Sequence, residues 1–90
     1  MNFEQIKTRA FIEYGIAGHE DEYVFSLDGV QQVPHDLAHK LEVRLGKNWH
    51  ISYRSTRLEI YYAEKENYRD DEFIITTLQQ VLGDEYELVR

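Results

Sequence analysis

Between residues 49 and 62 the chain reads WHISYRSTRLEIYY, and apolar and polar positions alternate on both sides of a short polar break. A period of two belongs to strands, whose successive side chains point to opposite faces. With Ser55 and Thr56 as the turn, Arg54 stands opposite Arg57, followed by Tyr53 with Leu58, Ser52 with Glu59, Ile51 with Ile60, His50 with Tyr61, and Trp49 with Tyr62. One face of this hairpin then collects Trp49, Ile51, Tyr53, Leu58, Ile60 and Tyr62. A one-residue slip would set the polar side of one strand against the apolar side of the other, so the pattern fixes the register. Ser-Thr is not a favoured two-residue turn, and a four-residue loop from Arg54 to Arg57 is an equal alternative that leaves the pairing unchanged.

Elsewhere the period lengthens. In PHDLAHKLEVRLG, residues 34–46, Leu37, Ala38, Leu41 and Leu45 form one helical stripe, with Pro34 in the first turn and Gly46 at the stop. Ile74, Ile75, Leu78, Val81 and Leu82 form a second stripe; Asn67 or Asp70 can cap that helix, acids crowd its positive end, and Gly83 stops it. EYVFSLDGV alternates and breaks at Asp28-Gly29, as a strand and turn do, and EYELVR makes a short last strand. At the start of the chain Phe3, Ile6, Ala10, Phe11 and Tyr14 recur at helical spacing between Asn2 and Gly15, which predicts a helix over residues 1–15. AFIEYGI within it suits a strand equally well.

In order these elements are a helix and then β-α-β-β-α-β over residues 22–90. That order predicts an α+β fold of the ferredoxin-like, split βαβ kind: an antiparallel four-stranded sheet, with both helices on one face and the extra N-terminal helix placed elsewhere. Residues 1–90 make a single domain. Two helices already cover one face of such a sheet, so the apolar side of the leading helix is left over as a candidate homodimer interface. Seven tyrosines are an aromatic wealth of the kind enriched at interfaces.

Composition narrows the function. Seventeen acidic against ten basic residues leave a formal charge of −7, a field that disfavours nucleic acid as partner. The acids come in clusters: Glu20, Asp21 and Glu22; Glu64 and Glu66; Asp70, Asp71 and Glu72; Asp84, Glu85 and Glu87. Solvated faces are the ordinary use of such runs, and docking on a basic partner is the sharper one. No apolar run is long enough to span a bilayer and no signal-like stretch opens the chain, so a cytoplasmic location is expected. The absence of cysteine fits a reducing compartment and removes thiolate chemistry.

Candidate chemistry is sparse. The polar hairpin face offers His50, Arg54, Arg57, Glu59 and Tyr61; Arg54 beside Arg57 is a like-charge pair that an anion, or Glu59 diagonally across, would relieve. His35 and His39 stand one helical turn apart with Glu42 continuing the ridge, a weak candidate for three of the four positions of a zinc site. His19 and the acids after it read as an acidic loop without the calcium-loop pattern. No nucleophile elbow, phosphate loop or dinucleotide fingerprint is present, and no cofactor is expected. The expected function is therefore a small, acidic, non-enzymatic protein-binding module, an inhibitor or regulator that docks carboxylate clusters on a basic, nucleic-acid-binding surface. By composition that suits phage or mobile-element regulators acting as nucleic-acid mimics. The alternatives are a nucleic-acid-binding or nucleic-acid-processing domain working from the open sheet face, and the histidine metal site on helix 34–46.

Overall fold

A computed structural model describes residues 7–54 and 56–90. Strand β1, Thr8–Ile16, forms a hairpin with β2, His19–Leu27, and helix α1, His35–Leu45, leads to the hairpin of β3, Trp49–Arg54, and β4, Arg57–Tyr62. Helix α2, Asp71–Leu82, passes through a 3-10 turn at Gly83–Glu85 into β5, Tyr86–Val89. The sheet order is β3-β4-β2-β1-β5, antiparallel throughout except for the parallel pair β1 and β5.

This corrects the expected fold. The sheet has five strands and is mixed, not a four-stranded antiparallel ferredoxin-like sheet behind a helix over 1–15. Phe3 and Ile6, two of the five residues that suggested that helix, lie outside the described residues, as does Ser55 of the proposed turn. The other three sit on a strand in which Ala10 and Ile12 are buried and Arg9 and Glu13 are exposed. Non-local pairing decides the outcome: residues of β1 register with β2 from Ala10–Leu27 to Ile16–His19 and with β5 from Thr8–Tyr86 to Phe11–Val89. Both sides of β1 are thereby hydrogen-bonded, which a surface helix with a half-satisfied apolar stripe could not match. β1 also keeps β2 and β5 apart, where a ferredoxin-like order would pair them. Over the described part of this segment, Thr8–Ile16, the apolar residues therefore lie on a strand and present no helical face to a second copy.

Both helices lie on one side of the sheet, in contact with each other, α1 also against β3 and α2 against β5. Between them and the sheet Phe25, Leu41, Leu58, Ile60, Ile74 and Leu78 are essentially inaccessible, and Val33 from the β2–α1 connection joins them. At one end of this core the aromatic rings collect around Trp49, with Tyr62 at 5.1 Å, Tyr68 at 5.9 Å, Phe73 at 6.0 Å and Tyr23 at 6.2 Å between centroids. The tyrosines are thus largely core material, and Tyr61 is the one found among the exposed large hydrophobics, at 38%. No helix among the described residues is long and apolar enough to cross a membrane.

Candidate functional site

The β1–β2 hairpin does not run straight. Tyr14 pairs with Tyr23 and Ile16 with His19, so Gly15 alone faces Glu20, Asp21 and Glu22. The surplus on β2 is a bulge, which bends a hairpin and increases its twist. Gly15 takes φ 74° there, and a side chain at that position would meet the Glu20 carbonyl. Beyond the bend the turn closes at Ala17 and Gly18, and the Gly18 amide donates to Glu20 Oε1 at 3.2 Å.

The consequence shows in where His19 lands. Val24, five residues along β2, pairs with Glu59 of β4, and five residues of straight strand cover about 17 Å. Yet His19 Nδ1 lies 3.2 Å from Glu59 Oε2, and Arg57 Nη2 lies 3.4 Å from His19 Nε2. Side chains cannot bridge that gap, so the hairpin folds back over the sheet face opposite the helices. It covers Glu59 to 4% exposure and Val24 to 8%, which explains a buried carboxylate on a face that would otherwise be open.

Glu59 is the hub of this site. Its Oε1 accepts from Arg54 Nε at 3.1 Å and has Arg57 Nε at 3.9 Å, while Oε2 faces His19. Glu22 brings its own Oε2 to 3.4 Å from His19 Nδ1. Burial, and then the neighbouring Glu59 carboxylate, push Glu22 above the usual carboxylate range. Burial also pushes Glu59 upward, but the bond from Arg54 and the field of His19 more than offset it, and Glu59 ends below that range. His19 Nδ1, Glu22 Oε2 and Arg57 Nε are buried without an aligned hydrogen-bond partner.

The β3–β4 register is the one the alternation predicts, from Trp49–Tyr62 to Arg54–Arg57, and Glu59 does relieve the arginine pair from its diagonal position. His50 and Tyr61 spend their ring faces on each other, stacked at 5.4 Å. On α1, His35 stacks on Tyr53 at 4.6 Å, and His39 and Glu42 are exposed. Among the described residues the set of three ligand-bearing groups within reach of one ion is His19, Glu22 and Glu59, not His35, His39 and Glu42. Alternation along the chain does not reveal it, because it places Glu59 on a sheet face and leaves His19 and Glu22 in an acidic loop. The signal available in the sequence is Gly15-Ile-Ala-Gly18 between two strand-like runs, the mark of a tight hairpin turn.

The acidic clusters meet different fates. Asp70 caps α2, its Oδ1 accepting from the Phe73 amide at 3.3 Å, and Asp71 accepts from Tyr23 and from both arms of Arg69. Glu20, Asp21, Glu64, Glu66 and Glu72 remain exposed. Because Tyr23 pairs with Ile60 and Trp49 with Tyr62, the bend of β2, the β4–α2 connection and the start of α2 share one end of the sheet. Asp84 and Glu85 lie at the far end of α2. Comparison with known proteins adds no relative: no family model, no curated protein and no solved structure matches the chain.

Proposed function

We propose that this chain is a small non-enzymatic binding module, an inhibitor or regulator that docks the carboxylate-rich end of its sheet on a basic surface of a protein partner. The observation that carries this is that the strand register places the segments bearing Glu20, Asp21, Glu64, Glu66 and Glu72 toward that end, all five exposed, against the cations Lys47, Lys65 and Arg69, of which Arg69 is already bound to Asp71. The acids arrive there from three separate stretches of sequence. Exposed, unpaired carboxylates speed encounter with a positive surface, and the field they create is felt over about 8 Å at physiological salt. The cysteine-free composition fits a reducing compartment, and the cytoplasm is the location we assign.

Nucleic acid on the opposite sheet face is less well supported. Arg54 and Arg57 are turned toward Glu59, and the rings that would stack bases, His50 and Tyr61, stack on each other. Fluorescence anisotropy with a labelled oligoarginine peptide tests the docking end. Binding should weaken as salt rises, and drop by about tenfold or more, near 1.4 kcal/mol, in the variant carrying E20Q, D21N, E64Q, E66Q and E72Q. A variant carrying D28N, D36N, D84N, E85Q and E87Q removes the same number of charges elsewhere, all from exposed positions, and should keep most of the affinity. Equal losses in both variants would reduce the effect to overall charge and remove the proposed site. Tight single-stranded RNA binding abolished by R54A would replace it with the sheet face.

A further inference from the structure

We propose that His19, Glu22 and Glu59 form a binding site for a divalent transition-metal ion of the zinc class, which ties the curled β1–β2 hairpin to β4. Three atoms converge on one point. His19 Nδ1 lies 3.4 Å from Glu22 Oε2 and 3.2 Å from Glu59 Oε2, and all three ligand atoms lie within 4.8 Å of one another. An ion holding nitrogen and oxygen at about 2.0–2.2 Å in a tetrahedron sets its ligands about 3.3–3.6 Å apart, the spacing two of these pairs approach. Three protein ligands leave the fourth position to water or to a partner group.

Two independent features favour a cation over a closed ion-pair network. The first is that His19 Nδ1 and Glu22 Oε2 are buried yet have no aligned hydrogen-bond partner, although each lies within 3.4 Å of the other. Buried polar atoms are normally paired, and a buried group left unpaired calls for a reason, of which a bound ion is one. The second is the orientation of Glu59. One of its oxygens is held by Arg54 Nε at 3.1 Å, which leaves Oε2 aimed at the same point, the arrangement by which outer groups orient metal-ligating carboxylates. Glu22 and Glu59 also bring two carboxylates together, and a shared cation removes their repulsion.

Arg57 works against the ion. Its Nη2 lies 3.4 Å from His19 Nε2, and an imidazole coordinating through Nδ1 carries its proton on Nε2, so the two would then meet donor to donor. Arg57 is 42% exposed and can turn toward solvent when the ion binds. Removing it should therefore tighten metal binding, an outcome that a simple salt-bridge network does not produce. This site does not depend on the docking end proposed above.

Equilibrium dialysis of the purified chain against Zn2+, with metal counted by mass spectrometry, decides the matter. The protein should retain an equimolar amount, H19A and E22Q should lose it with unchanged circular dichroism, and H39A should retain it. R57A should retain it with higher affinity. If a ligand variant loses its fold, the visible spectrum of Co2+ bound to the unaltered protein serves instead, with nitrogen–oxygen tetrahedral bands expected and their absence counting against the site. No equimolar uptake by the unaltered chain, or uptake indifferent to H19A, overturns the proposal.

Discussion

Tyr23 is 3% exposed, and its hydroxyl is shared by two parts of the chain. It donates to Asp71 Oδ1 at 2.5 Å and accepts the Asp70 amide at 2.9 Å, so a core ring on β2 also fixes the first turn of α2. Burial, and then the bond to Asp71, push its phenol well above the ordinary tyrosine value of 10.0. The paired Arg69, and then Tyr23, hold Asp71 below 3.8. The two groups act at opposite ends of the pH scale. Asp71 stabilises the fold in full above pH 3.8, and that contribution fades as pH falls through its lower folded value. Tyr23 stabilises in full below pH 10.0, and its contribution fades as pH rises from there toward its higher folded value. Tyr23→Phe leaves the Asp70 amide without its acceptor and should cost about 1–3 kcal/mol at neutral pH. Thermal melts across pH 7 to about 11 should show an alkaline decline in the parent that is smaller in Y23F. Equal declines would place that sensitivity on other tyrosines.

At the scale of elements, what could be read from sequence depended on how local the deciding contacts are. The β3–β4 hairpin was legible because both its strands alternate and must agree with each other. Helix α2 was legible because Ile74, Leu78 and Leu82 fall on one buried line between the Asp70 cap and Gly83. β1 was not, because Ala10 and Tyr14 satisfy a helical stripe with Phe11 and a strand face with Ile12. What selects the strand is pairing with β2 and with β5, more than seventy residues downstream. The His19–Glu22–Glu59 site was hidden for the same reason, since it exists only once the hairpin has bent. That bend rests on Gly15, where φ 74° is costly for any residue with a Cβ. Gly15→Ala should lower stability by about 1–2 kcal/mol in urea titration. The loss should come with a weaker hold of the hairpin tip on β4, seen as faster exchange of the β2 amides from Glu20 to Glu22. A variant as stable as the parent would mean that the bulge, not the glycine, sets the bend.

For the molecule as a whole, the question is whether its charges help or oppose the fold. A formal charge of −7 on ninety residues is self-repulsive, and the exposed Glu20, Asp21, Glu64, Glu66 and Glu72 all lie toward the end of the sheet where the bend of β2 meets the end of β4. Ion pairs pull the other way, chiefly Arg54 with Glu59 and Arg69 with Asp71, and salt weakens both kinds of interaction. The Arg54 side chain is 62% exposed, and those of Arg69 and Asp71 are each about half exposed, so solvent screens both pairs and each is individually weak. Repulsion among the unpaired acids is spread over more groups and should win. Raising ionic strength from about 0.01 to 0.15 M shortens the screening length from about 30 to 8 Å, and the melting temperature should therefore rise. Calorimetry at the two salt levels measures the sign directly. The rise should flatten in the variant carrying E20Q, D21N, E64Q, E66Q and E72Q, because that variant removes those charges while leaving both ion pairs in place. A melting temperature that falls with salt would show that the pairs around Glu59 and Asp71 outweigh the unpaired acids, and that the sheet end is held together by charge instead of strained by it.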